Sequence, residues 1–129
     1  MSKHETPLIE WYWNEVGGTL CEEYRVVSRS RTCAARWVDA IILPNRPKAR
    51  IRGSQVALTG EDVIVVQAKA SRLGMYLAGQ AILSARLVAS LGARSVRSVA
   101  LCTADDSALR PLLGQFEGVE VVVAPKPAR

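Results

Sequence analysis

The chain has 129 residues, 49% of them hydrophobic and 22% charged, with a formal net charge of +5. Those proportions suit one folded domain around a single core and exclude a globally disordered chain. Three cysteines without a CxxC pair and a single histidine, His4, leave no Cys/His zinc site, and the odd cysteine count fits a reducing compartment.

The polar start MSKHETP lacks the apolar core of a signal peptide, and no apolar run nears the roughly 20 residues of a membrane helix, so a cytoplasmic protein without membrane contact is expected. Thr6-Pro7 predicts a helix start, with Thr6 as cap and Pro7 at the first helical position. Ile9, Tyr12, Trp13 and Val16 recur at helical spacing, and Gly17-Gly18 ends the run. Residues 20–28 (LCEEYRVVS) alternate imperfectly and read as a strand; 28–35 read as a basic turn or loop. A second strand over Arg36–Leu43 is stopped by Pro44-Asn45. Two prolines and Gly53 mark 44–55 as a basic loop, before a short strand at 56–58, a turn at 59–62 and the most apolar strand, 63–68.

Residues 71–91 carry the longest helical pattern, capped by Ser71 and stopped by Gly92; Gly74, Gly79 and several alanines predict close packing on the sheet. A strand at 96–102, a short helix at 107–115 and a strand over Val119–Val123 complete the order. Strand–helix–strand at this spacing predicts a parallel pair joined by a crossover. The expected product is one α/β domain over 1–129, a mixed sheet flanked by helices, with 1–5 and 125–129 frayed.

Polar residues interrupt two of the apolar strands. Asp39 sits between Val38 and Ala40, and Gln67 and Lys69 follow the run 63–66 at a spacing of two, which would place them on one strand face. Such groups are costly beside a core unless they pair or bind something. The bland readings are an Asp39 paired with Arg36 or another arginine, and a Gln67 and Lys69 at the wet end of a strand. Between residues 25 and 52, Arg25, Arg29, Arg31, Arg36, Arg46, Lys48, Arg50 and Arg52 stand against one acid, Asp39. A cluster of that sign attracts polyanions through phosphate contacts and counterion release. Trp11, Trp13 and Trp37 read as core or dimer anchors rather than base-stacking residues.

In element order and in these residues the chain resembles the PD-(D/E)XK nuclease superfamily, the restriction-endonuclease-like fold. The resemblance covers roughly residues 6–102: an αβββαβ core, here extended by a C-terminal helix and strand. It implies that Asp39, in RWVDAI, is the acid of the second strand and that Gln67-Ala68-Lys69, in VIVVQAKA, is the (D/E)XK triplet. It further implies a first-helix acid, Glu10 by preference over Glu5, Glu15 and Glu22, and a supporting Gln80 on the following helix. The triplet begins with glutamine, and Val38 replaces the usual proline; the QxK form is similar to Mrr-type restriction enzymes and the transposon end-cleaving nuclease TnsA.

The implied function is metal-dependent phosphodiester hydrolysis, in DNA. Asp39, the Gln67 amide oxygen and the Ala68 carbonyl would hold Mg²⁺ or Mn²⁺, a hard cation for which one or two protein oxygens suffice. Lys69 would orient the attacking water and stabilise developing charge. Arg29, Arg31, Arg36, Arg46, Lys48, Arg50 and Arg52 would contact the nucleic acid, and two strands to be cut imply a homodimer. The competing expectation is a nuclease-like domain that binds nucleic acid or a protein without cutting, because Gln67 removes a negative charge; a third is a small α/β protein of unrelated function.

Overall fold

A computed structural model describes residues 4–52 and 56–125; of the ends expected to fray, 1–5 and 125–129, residues 1–3 and 126–129 lie outside them, as does the end of the basic loop at 53–55. Nine elements follow in the order α1 (Thr6–Val16), β1 (Thr19–Val27), β2 (Arg36–Leu43), β3 (Ala49–Arg52), β4 (Asp62–Ala68), α2 (Met75–Ala89), β5 (Ser95–Cys102), α3 (Leu109–Leu113) and β6 (Val119–Val123). Six strands form one mixed sheet in the order β3-β1-β2-β4-β5-β6. The β1/β2 and β2/β4 pairs are antiparallel, whereas β1/β3, β4/β5 and β5/β6 are parallel. The expected α/β class with a mixed sheet is therefore what forms, and α2 provides the β4–β5 crossover.

Periodicity explains the layering. In α1, Leu8, Ile9 and Tyr12 are buried on Leu20, Ala40, Ile42, Ile64, Val66 and Leu101, which share one sheet face. In α2, Leu77, Ala81, Ser84 and Val88 line the buried stripe; its C-terminal half covers Val63, Val65 and Ile41 on the opposite face, and its N-terminal half meets α3, Ala100 and Val121. Each of the last six residues of β4 is buried, as its near-continuous apolar run predicts for a strand covered on both faces.

Five details depart from the sequence expectation. A strand stands at Ala49–Arg52, inside the stretch read as loop, and none at 56–58. Short, Arg-bearing β3 adds parallel to β1 at the sheet edge, where charged side chains are tolerated because one side has no neighbouring strand. The helix expected from Ser71 begins at Met75, after Leu73 N–H and Thr103 N–H tie the connection to β5's C-terminal end. α3 is shorter than the 107–115 expected. Glu5, not Thr6, occupies the cap position of α1, with Pro7 in the first turn.

Gly18 is required where it stands. It has φ +81°, and a β-carbon there would lie 2.4 Å from the Leu43 carbonyl oxygen. Trp13 Nε1–H donates to the Gly18 carbonyl at 2.8 Å, fixing the helix against the start of β1.

Candidate functional site at the parting of two strands

Paired strands β2 and β4 keep register from Ile42↔Ile64 through Ala40↔Val66, and there the ladder stops. One residue further, side chains replace the missing main-chain bonds. Ala68 N–H donates to Asp39 Oδ2 at 2.9 Å, and Asp39 N–H donates to Gln67 Oε1 at 3.3 Å. Such reciprocal capping satisfies two amides that the parting of the strands would leave orphaned. In an extended residue N–H and C=O point the same way, so the Ala68 carbonyl is directed into the same gap as its amide, toward Asp39. Asp39 and Ala68 thus contribute two hard oxygens to one cleft.

Opposite this gap, β1 and β2 carry a matched irregularity. Glu22 pairs with Ala40 and Tyr24 with Val38, leaving Glu23 and Asp39 as a facing pair outside the ladder. Cys21 and Tyr24, three residues apart, both enter the α2-side core, as do Val38 and Ile41, whereas strict alternation would send each pair to opposite faces. The reversal falls on Glu23 and Asp39. Glu23 has φ +52°, the one positive value at a non-glycine among the described residues. Sequence reasoning missed Glu23; its signal was the broken alternation of LCEEYR, which marks an irregular strand without saying which glutamate it displays.

The electrostatics of Asp39 follow from this position. Burial pushes its carboxyl above the ordinary aspartate value, the Ala68 amide opposes the shift, and the negative charges of Glu5 and Glu23 add to it. No arginine or lysine among the described residues pairs with it, so the expected Arg36 partner is not made. Lys69 lies one residue past the end of β4, exposed, with its own amide on the Leu101 carbonyl. Beside it, Ala70 N–H donates to Glu5 Oε2 at 3.3 Å. Glu5, rather than Glu10, is therefore the acid at the start of α1 that is joined to this end of the sheet.

Glu10 faces elsewhere. Its carboxylate binds Arg50 Nη1 at 2.7 Å, and the same guanidinium grips Glu22 through Nε at 2.6 Å and Nη2 at 3.0 Å. Arg50 holds the buried Glu22 carboxyl below the usual range. Glu15 is exposed on α1.

Gln67 is fully engaged. It is 3% exposed, its oxygen is taken by Asp39 N–H, and its nitrogen donates to Ser84 Oγ of α2 at 2.8 Å. Gln67 turns to α2, while Lys69, just past the end of β4, keeps its amide on β5. Ser84 was not singled out in the sequence, although a serine on the inward stripe of an apolar helix is the signal for such a bond. Gln80 is half-buried and lines a groove of about 630 Å³ with Gln67, Ser84, Arg36, Trp37 and Tyr76.

The basic cluster divides in two. Arg46 is ion-paired with Glu61, Arg50 with Glu10 and Glu22, and Lys48 donates to Asn14 and stands 5.0 Å from the Trp13 ring centroid. Arg29, Arg31 and Arg36 sit exposed on the β1–β2 connection and its exit, and Arg52 shares a small pocket with Glu22, Glu23 and Trp37. Arg25 stacks over Trp37 at 5.8 Å. Cys21 and Cys102 are buried among apolar side chains on the α2 side of the sheet, with thiols raised by desolvation.

Among the described residues no group of three His, Cys, Asp or Glu side chains stands close enough to hold a metal ion on its own. The oxygen donors at the parting are one carboxylate and one main-chain carbonyl, with Glu23 and Glu5 beside them. Among the described residues no helix is long and apolar enough to cross a membrane. Comparison of the chain with protein-family models, with curated proteins and with solved structures finds no match.

Proposed function

We propose that this chain is a metal-dependent nuclease of the PD-(D/E)XK type that hydrolyses phosphodiester bonds in DNA. One observation carries the reading: the Asp39 carboxylate and the Ala68 main chain meet where β2 and β4 part, with Lys69 the next residue along. The strand order supports it, since β1, β2 and β4 form an antiparallel meander, α1 and α2 cover opposite faces, and β5 runs parallel to β4.

The donor set is hard oxygen without sulfur or imidazole, which suits Mg²⁺ or Mn²⁺. Asp39 and the Ala68 carbonyl would hold the ion, with Glu23 as the third oxygen; when bound, it supplies a positive clamp for the phosphate and a more acidic water. Asp39 is prepared for that role because no arginine or lysine among the described residues neutralises it. A carboxylate raised by burial and by acidic neighbours gains most from an incoming cation. Lys69, on the exposed side of the cleft, orients the attacking water and stabilises the charge that develops on the phosphate oxygens. Exposed Arg29, Arg31 and Arg36 contact the flanking phosphates, whereas the internally paired Arg46 and Arg50 do not.

Gln67 favours a second reading, a nuclease-like domain that binds DNA without cutting it. Its amide is spent on Asp39 N–H and Ser84, so it positions the Asp39 backbone instead of adding a ligand. Plasmid cleavage in Mg²⁺ and in Mn²⁺ decides between them. The nuclease reading expects cutting that Lys69→Ala and Glu23→Gln each abolish. No cutting in either metal, together with salt-sensitive DNA binding, selects the second reading; cutting that survives Lys69→Ala sinks the first.

A further inference from the structure

We infer that the outer face of α2, with the end of α3, is a two-fold interface between copies of this chain. Seven large apolar side chains are exposed among the described residues, and five of them, Met75 (80%), Tyr76 (79%), Leu83 (64%), Leu112 (53%) and Phe116 (44%), belong to this surface. Together these residues expose on the order of 600 Å² of surface, so a two-fold pairing that covered all of it would bury about 1,200 Å², the lower bound of stable specific interfaces. The groove between the helices, about 240 Å³, is lined by apolar residues and glycine alone, including Met75, Ile82, Leu112 and Phe116, and no charged side chain enters it.

Gly79 lies at the middle of that face and says what covers it. A glycine inside a helix weakens the helix and leaves room above its surface. Nothing among the described residues needs it: a β-carbon at Gly79 would meet none of their atoms within 4 Å. Room on the outer surface of a helix serves close approach from outside. Moreover, the apolar positions are symmetric about Gly79. Met75 stands four residues before it and Leu83 four after; Tyr76 stands three before and Ile82 three after. An antiparallel α2–α2′ crossing at Gly79 sets Met75 of one copy against Leu83 of its partner and Tyr76 against Ile82, the self-complementarity that a two-fold axis demands. A second copy of this chain is thus the occupant that the pattern fits.

Sedimentation equilibrium across the micromolar range tests the pairing. The wild-type chain is expected to be a dimer. Gly79→Gln, which introduces a better helix former and a bulky side chain, is expected to raise the dissociation constant by about a hundredfold, as is Phe116→Ser, each with an unchanged far-ultraviolet circular dichroism spectrum. A wild-type monomer throughout the range, or a dimer that survives both variants, overturns the inference. The pairing is independent of the nuclease reading: cleavage assays bear on that one and sedimentation on this.

Discussion

Two aspartates stand at opposite ends of the β2–β4 pair, and the molecule treats them differently. Asp62, at the start of β4, receives Arg94 through Nε and Nη2, the Ser95 hydroxyl and the Asn45 amide, and these donors hold its carboxyl far below the usual range. Asp39, at the other end, accepts from a main-chain amide, sits among other acids and is pushed up. One end of the sheet is closed by side chains that saturate a charge, while at the other no arginine or lysine among the described residues pairs with the charge, beside a bent backbone. A carboxylate with four donors has nothing left to offer a ligand. A raised carboxylate without an arginine or lysine partner, at the end of a ladder, is where a cation or a phosphate-binding reaction can be built.

The widest separation of the two ends is expected in catalysis. Asp39→Asn and Lys69→Ala should each lower DNA cleavage by at least about 10²-fold while leaving the fold intact, the loss typical for a group acting on developing charge. Asp62→Asn should leave cleavage per folded molecule unchanged and lower the melting temperature instead. Reversal of that pattern would place the chemistry at the wrong end.

Next come two stability effects, one at each end. Gln67→Ala leaves Ser84 Oγ and Asp39 N–H without their partner and opens a buried space, which should cost about 2–4 kcal/mol in urea unfolding. Gly18→Ala forces a positive φ on alanine and a clash with the Leu43 carbonyl, for about 2 kcal/mol or more. If Gln67→Ala is neutral, the side-chain bridge is not what holds the parted strands.

The pH dependence of stability should differ in sign. The folded-state carboxyl of Asp62 lies below its unfolded value, so its contribution is complete above the unfolded value near 4 and is lost as pH falls through the acid range. Asp39 is raised by folding, so its charge opposes the fold at neutral pH, and the opposition is relieved as pH falls through its raised value. Melting curves of Asp39→Asn against wild type should therefore show a stabilised variant at pH 7 whose advantage disappears in acid. For Asp62→Asn the deficit should shrink in acid. The smallest effect concerns binding: replacing Arg29, Arg31 and Arg36 together should reduce the salt slope of DNA affinity by about 2–3, and replacing the paired Arg46 by less than about 1.

Much of the frame was legible in the sequence. Period-2 and period-3.6 patterns located α1, β1, β2, β4, α2, β5 and β6 to within a few residues, because each buries a regular stripe. ARIR was not legible as β3: at an edge it needs no buried face, so charge and flanking proline make it look like loop. Asp39 and Lys69 stood out as candidates because polar residues beside apolar runs are conspicuous. The roles of Glu5 and Glu10 could not be separated, since both lie off the apolar stripe of one helix and only the fold turns one to Ala70 and the other to Arg50. Spacing put Gln67 two residues from Lys69 but gave no sign that Ser84 of α2 would take up the Gln67 amide.

The sheet's two margins carry a consequence for how the protein fails. β3 is four residues long and presents Arg50 and Arg52, whereas β6 is VEVVV, with Val123 37% exposed at its end. Unfilled hydrogen-bonding groups along a β-branched margin recruit further strands, and arginines along the other repel them. When this protein is warmed or over-concentrated, its precipitation should therefore start at β6, and a lysine in place of the exposed Val123 should delay the onset of turbidity without altering the rest of the molecule.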